Sequence, residues 1–423
     1  MKSNQGIATM KQQEQVSPIA RTGIWLFIGI LLIASTLRAP ITVLGPIVGD
    51  IRDDTDISNT LAGMLTTLPL LAFALVSPLA PRMARRIGTN RSLLIGLAVL
   101  TAGIALRSIP SVPALFAGTA LLGMAIAVSN VLLPSLIKRD YPAKVGLMTG
   151  LYSVVMNMWA AVASGVSIPV AQGMGLGWRG TLAIWAVLSL IALAVWLPQV
   201  RRDRGQALSQ AAGAPAGKLW SSSLAWQVTL FMGLQSFLFY VNIAWIPEIL
   251  VSRGMSHASA GWMLSIMQFV SLPSTFIMPV LAGRSSNQRG LVVTIAALFL
   301  IGYAGLLWGG NTLALLWIIM IGIAGGAGFS LAVMFFALRA HHASQAAELS
   351  GMAQSVGYLL AAVGPTVFGF MHDATHAWTV PLIMLIVIAF LLLAAGFGAG
   401  RNAYVDAPTV KFKHAFSKDT CKH

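Results

Sequence analysis

Twelve apolar runs, each about 18 to 29 residues long and parted by short polar breaks, constrain this chain more than any other feature. A helix rises ~1.5 Å per residue and the hydrocarbon core of a bilayer is ~30 Å thick, so each run reaches across or close to it. They lie near 22–50, 58–80, 92–109, 112–137, 146–173, 178–199, 225–251, 258–282, 290–308, 312–338, 349–372 and 378–399. Backbone N–H and C=O groups find no water in lipid, so runs of this kind fold as helices that satisfy themselves. Only 9% of the 423 residues are charged, against roughly 25% in a soluble domain. The fold class predicted is an all-α polytopic membrane protein of twelve transmembrane helices.

The breaks between runs give the organisation. Residues 1–21 form a polar tail, and the apolar stretch behind them is too long for the core of a secretory signal and lacks a small-residue cleavage site. The interval 201–224 is rich in charge, Ala, Gly and Ser and reads as a linker between six-helix halves at 22–200 and 225–400, with a second tail at 401–423. An internal repeat supports two halves. Ser58, Ala62 and Gly63 recur as Ser256, Ala260 and Gly261, and the same offset carries Pro81 onto Pro279 and Arg91 onto Arg289. A second register pairs Lys138 with Arg339 and Gly150 with Gly351. Parallel halves of this kind describe a transporter fold with a central cavity at their interface.

Net charge is +15, but its placement matters more than its size. With both termini on one side, that side holds 22 of the 27 Lys and Arg; Arg52, Arg107, Arg179 and Arg253 fall on the other, and Arg38 on neither. The positive-inside rule makes the richer side cytoplasmic. The charge is therefore a topology signal and not a nucleic-acid footprint. A single cysteine, Cys421, excludes an intrachain disulfide and a Cys-based metal site, and neither a cofactor nor a metal is expected.

Arg38 is the anomaly. A helix beginning near Ile24 has its midplane near residue 34, so Arg38 stands only ~6 Å beyond it. A cation at that depth costs ~3 kcal/mol or more and generally faces a bundle interior or a watery cavity. Pro40, Gly45 and Pro46 follow at once, each loosening the helix and freeing carbonyls that persist only under cover. Arg38 is a candidate anion or substrate group, with a structural tie between helices as the alternative. Other deep polar residues are Asn157, Gln235, Gln268 and Tyr358, with Asn130 and Gln354 nearer the cytoplasm. Amides at depth also serve as plain interhelical bonds. Their spread over both halves favours one shared polar cavity, and all seven are candidate substrate-binding residues. Trp159 and Tyr152 read first as packing; His341 and His342 read as a solvated loop pair, and His372 with Asp373 as the close of the eleventh run. Glu248 follows Pro247 near the outer interface and is a candidate gating residue. No carboxylate lies at mid-depth, so the chain offers no obvious proton site.

At this point the chain resembles the major facilitator superfamily. Its loop 81–91, Pro81-Arg82-Met83-Ala84-Arg85-Arg86-Ile87-Gly88-Thr89-Asn90-Arg91, is similar to the superfamily's Gly-x-x-x-Asp-Arg-x-Gly-Arg-Arg motif. Arg86, Gly88 and Arg91 fit, while Pro81 stands in place of the Gly and Arg85 in place of the Asp. The resemblance implies that the interdomain latch made by the family's Asp is missing, leaving Arg82, Arg86 and Arg91 to topology and to contacts with lipid head groups or helix ends. Further matches point to the cyanate and nitroimidazole transporter family. These are Leu37-Arg38 with Gly45-Pro46, the run Leu65 to Ala74 (LTTLPLLAFA), Pro134 to Arg139 (PSLIKR), Leu349 to Tyr358 (LSGMAQSVGY) and Gly364-Pro365. The second and third resemble the nitroimidazole side of the family more than the cyanate side. The implied protein is a monomeric inner-membrane carrier of a bacterium, meeting only membrane lipids and a small polar, anionic or nitro-heterocyclic solute.

Other function classes fare worse on the residues. A membrane enzyme lacks its spacing: there is no His-Glu-x-x-His, no Gly-x-Ser-x-Gly and no deep carboxylate pair. A channel or ligand sensor lacks a recognisable filter or attached soluble domain. A Walker A motif is absent too, which argues against direct drive by ATP.

Overall fold

The structure, a computed structural model, describes residues 18–57, 59–200, 219–309 and 312–405. The outer parts of both tails, most of the expected linker, Ser58 and Cys421 lie outside the described residues. Among the described residues eleven helices are long and apolar enough to cross a membrane, and the pair Met64–Val76 and Ala80–Ile87, bent by 54°, makes a twelfth when taken as one span. We number the crossings span 1 to span 12.

Prolines mark the breaks in spans 1 and 2. Span 1 is three pieces, Pro18–Thr36, Ala39–Thr42 and Leu44–Thr55, with Arg38 in the first gap. Pro46 has no N–H for the Thr42 carbonyl four residues back, and the Ser164 hydroxyl of span 5 (Val145–Ile168) donates to it instead (3.1 Å). Two further bonds tie the same elements: Ser167 Oγ donates to Val43 O (3.3 Å) and Thr42 Oγ1 to Ala160 O (3.0 Å). Span 2 is Asn59–Val76 and Ala80–Ile87, broken at Ser77-Pro78. Pro78 likewise frees the Ala74 carbonyl, which accepts from Ser355 Oγ (2.6 Å) of span 11 (Ala343–Thr375) in the other half.

Spans 3 and 4 are Thr89–Arg107 and Val112–Asp140; span 6 is Gly177–Ala183 with Trp185–Trp196. Spans 7 to 10 are Ser223–Ser252, His257–Arg284, Arg289–Trp308 and Ala314–Leu338, and span 12 is Thr379–Ala399. Ser256 caps span 8, accepting from Ser259 N (3.2 Å). Span 11 starts six residues before its apolar run, because its first turns are polar and stand out of the hydrocarbon. Hydropathy does not register such turns.

The halves meet through span 2 against span 11 and span 5 against span 8. Glycines make the approach close. A Cβ at Gly150 would stand 2.9 Å from the Phe276 carbonyl oxygen, and one at Gly146 would collide with that of Pro279. Across the other seam, a Cβ at Gly351 would stand 2.8 Å from Ser77 O. All three lie toward the face that carries the described ends of the chain. Toward the opposite face the same spans separate: Cβ atoms at Gly165 and Gly261 would meet nothing within 4 Å. The molecule is thus closed on the face of its termini and looser on the other.

Candidate functional site

Arg38 sits where the first gap of span 1 turns its side chain across the halves. Nη1 donates to Asn157 Oδ1 (2.7 Å), and Cζ lies 4.6 Å from the ring centroid of Phe329 in span 10 and 5.3 Å from that of Phe239 in span 7. The cation of one half is therefore met by two π faces of the other, an attraction worth ~2 kcal/mol each when desolvated. Among the described residues no carboxylate pairs with it. These groups, with Gln268, Asn242, Ser271 and Thr275, line a cavity of about 30 Å³. That is room for a water or two. Anything ring-sized requires the looser face to open further.

Spans 8 and 10 build the cavity's far wall by close approach. Gly322 and Gly326 bring span 10 against the Met267 and Ser271 carbonyls, leaving no room for a Cβ, while Gly325 looks into open space. Asn242 is fixed by Tyr303, whose hydroxyl accepts from Nδ2 (2.9 Å) and donates to Oδ1 (3.1 Å).

Of the seven residues read as substrate-binding, Arg38, Asn157 and Gln268 come together here and four do not. Tyr358 is buried against Phe73 (4.9 Å between centroids) in the seam of spans 2 and 11. Gln235 is buried behind Gly328, with Oε1 unpartnered. Gln354 donates through Nε2 to Asn130 O (3.1 Å) and Ser350 Oγ (2.8 Å), so this pair closes the termini face and leaves the cavity alone. The sequence missed Phe239 and Asn242, although Gln235, Phe239 and Asn242 share the i, i+4, i+7 face of span 7. Trp159 stands edge-on to Trp185 within its own half (6.1 Å), and Tyr152 is buried, both as packing.

A second cation corrects the charge inventory. Arg107, assigned by counting to the outer surface, is completely buried at the end of span 3. Its Nη1 donates to Pro40 O (2.6 Å), while Nε and Nη2 have no partner. The Pro40 carbonyl, in the broken part of span 1, is taken by Arg107.

The loop motif also departs from expectation. Gly88 joins spans 2 and 3 at φ 95°, ψ 151°, a conformation for glycine alone. Arg82 and Arg86 are exposed and Arg91 is half-buried. Arg85 is not idle: its Nη1 is ion-paired with Glu348 at the start of span 11. The latch exists with its charges exchanged, the cation on the loop and the carboxylate on span 11. At the opposite face Glu248 is exposed near the end of span 7, and His372 stacks on Trp378 (3.8 Å) beside Asp373.

The Major Facilitator Superfamily profile matches residues 26–365. The chain belongs to that superfamily. The transporter is 52% identical over 383 residues to the uncharacterized transporter YycB of Bacillus subtilis (strain 168), covering 90% of this chain and 94% of that one. It is 44% identical over 377 residues to the 2-nitroimidazole transporter of Escherichia coli (strain K12), covering 89% and 95%. Identity to the cyanate transport protein CynX of the same organism is 25% over 371 residues, covering 85% and 96%. The order agrees with the reading of spans 2 and 4 as nearer the nitroimidazole side. Among solved structures, the proton:xylose symporter XylE bound to 6-bromo-6-deoxy-D-glucose superposes with a TM-score of 0.73 at 14% identity, covering 91% of this chain and 98% of that one, which fixes the fold.

Proposed function

We propose that this transporter moves a small, flat, polar or anionic solute, of the 2-nitroimidazole kind, by alternating access between halves at 22–200 and 225–400, with Arg38 in the central site. The single observation that carries the reading is the environment of Arg38: an amide and two aromatic faces, with no carboxylate. A guanidinium offers five donors in a plane, and only one here is committed to a side chain. An incoming nitro group or flat anion takes parallel hydrogen bonds from the rest without displacing a counter-charge. Its ring slides between Phe239 and Phe329, and Asn157, Gln268 and Asn242 orient its edge. The higher identity to the 2-nitroimidazole transporter favours a heterocycle over cyanate.

The setting is a bacterial cytoplasmic membrane, with the chain acting as a monomer and both termini cytoplasmic, a reading supported by the excess of Lys and Arg on that side. A reporter fused at Gly213 reads cytoplasmic; a periplasmic signal overturns the orientation.

The test of the site is counterflow of labelled 2-nitroimidazole, with cyanate as competitor, in liposomes holding purified protein. Arg38→Lys keeps the charge and loses the planar fork, and binding falls at least tenfold while Tm is kept. Asn157→Ala and Gln268→Ala weaken binding by less. Parent-like flux in Arg38→Lys, or an Arg38→Met that fails only by unfolding, leaves Arg38 a structural tie.

A further inference from the structure

A cavity larger than the one at Arg38 lies elsewhere. A space of about 570 Å³ lies on the face of the termini, between the ends of spans 4 and 5 in one half and of spans 8, 10 and 11 in the other. Every charged residue in its lining is a cation: Lys138, Lys144 and Arg284, joined by His341, which stacks on Tyr404 (4.3 Å). Lys138 is partly committed, its Nζ donating to Ala337 O (2.5 Å) and Ala340 O (2.6 Å) at the end of span 10. Lys144 and Arg284 are exposed and, among the described residues, have no hydrogen-bond or ion-pair partner.

Topology accounts for the sign of these charges but not for their arrangement. Several cations on the same face are satisfied. Arg85 pairs with Glu348 and Arg139 with Asp140 (2.9 Å). Arg339 donates to Ala399 O (2.7 Å) and Gln288 Oε1, and burial lowers its guanidinium to about 10, so it stays charged at neutral pH. Among the described residues, cations without a partner face this space from both halves and no carboxylate lines it.

We propose that this cavity is a second binding site, separate from the Arg38 site, for a phosphate-bearing anion. Several cations converging on a roomy, solvent-reached space suit a multiply charged oxyanion better than a single carboxylate, and a guanidinium beside an ammonium suits phosphate oxygens. The source is either the head group of an acidic phospholipid, at whose level the span ends lie, or a free di- or polyphosphate. Because Lys144 belongs to one half and Arg284 to the other, the bound anion bridges them and holds the termini face shut. A ligand that binds only this arrangement stabilises it by mass action.

The experiment has two arms on the purified full chain. In neutral detergent, pyrophosphate is titrated at ionic strength held constant with chloride; in nanodiscs, phosphatidylcholine alone is compared with phosphatidylcholine containing phosphatidylglycerol. Melting is followed for the parent, for Lys144→Gln/Arg284→Gln, and for Arg82→Gln/Arg86→Gln, which removes the same charge from the same face outside the cavity. The expected result is a saturable rise in Tm of several degrees, kept in the second variant and lost in the first. A rise in the detergent arm assigns a soluble phosphate, and one confined to the nanodiscs assigns the lipid. If the double variant does not fold, Lys144→Gln and Arg284→Gln singly decide the matter, each weakening the response. No rise in either arm, or a rise equally kept or equally lost in both variants, overturns the proposal.

Discussion

The seam of spans 2 and 11 and the seam of spans 5 and 8 hold equivalent places in the internal repeat, yet they are closed by different physics. The first adds side-chain bonds to the Gly351–Ser77 approach: Ser355 on the carbonyl freed by Pro78 and Arg85 on Glu348, with Gln354 reaching Asn130 in span 4 beside them. Bonds of this type are worth ~0.6 kcal/mol between membrane helices and up to ~1 kcal/mol for an exposed ion pair. The second seam has backbone against backbone, with Gly146 and Gly150 laid on the Pro279 and Phe276 carbonyls. Its strength is steric fit. Duplication supplies the shared geometry, and divergence has replaced the bonds. Reversal of Arg85 or Glu348 therefore acts on the first seam, and added volume at Gly146 or Gly150 on the second.

Each seam breaks in its own way. The readout common to both is the labelling rate, by an impermeant maleimide, of a cysteine placed at the buried Ser77 in a Cys421→Ser background. The largest effect belongs to Gly146→Ala. Its new methyl has only a backbone carbonyl to push against, so the termini face is forced open and labelling rises by at least tenfold. An unchanged rate means that the seam is looser than it looks. A middle effect comes from Arg85→Glu, which sets two carboxylates face to face at a site 20–43% exposed. Loss of about 1 kcal/mol shifts the closed fraction about fivefold. The exchange Arg85→Glu with Glu348→Arg restores the parent rate at low salt, and failure of that rescue removes the latch. The smallest effect is expected of Gly165→Ala, on span 5 like Gly146 but facing open space. Labelling stays at the parent value, and Tm rises slightly as the helix gains a better former. Equal damage from the two alanines erases the contrast.

How much of this was legible without coordinates depends on range. The twelve crossings, the break after Arg38 and the two halves follow from local patterns of hydropathy and proline, which act within a few residues. Arg38, Asn157 and Gln268 were legible as deep polar groups, because cost in lipid marks them one at a time. Partnerships were not. Arg85 and Glu348 are separated by 263 positions, and nothing in either segment names the other. The exchanged latch therefore read as a lost one. Counting residues from a span end also misplaced Arg107, since burial there depends on how span 3 leans against span 1 and on the tight Gly103–Gly118 approach that brings span 4 over it. Tyr358 lies outside the cavity lining: its depth along span 11 was right, and its ring packs on Phe73.

The pinned break in span 1 has a consequence for synthesis. Asn157, which receives the Arg38 guanidinium, is 119 residues downstream, and Ser167, which bonds the Val43 carbonyl, is 124 downstream. At ~5–20 residues translated per second, span 1 leaves the ribosome roughly 6–25 s before those groups exist. For that interval a guanidinium and the open carbonyls of a broken helix must be lodged somewhere other than lipid, which makes the newborn first span a client of the insertion machinery until span 5 emerges to release it.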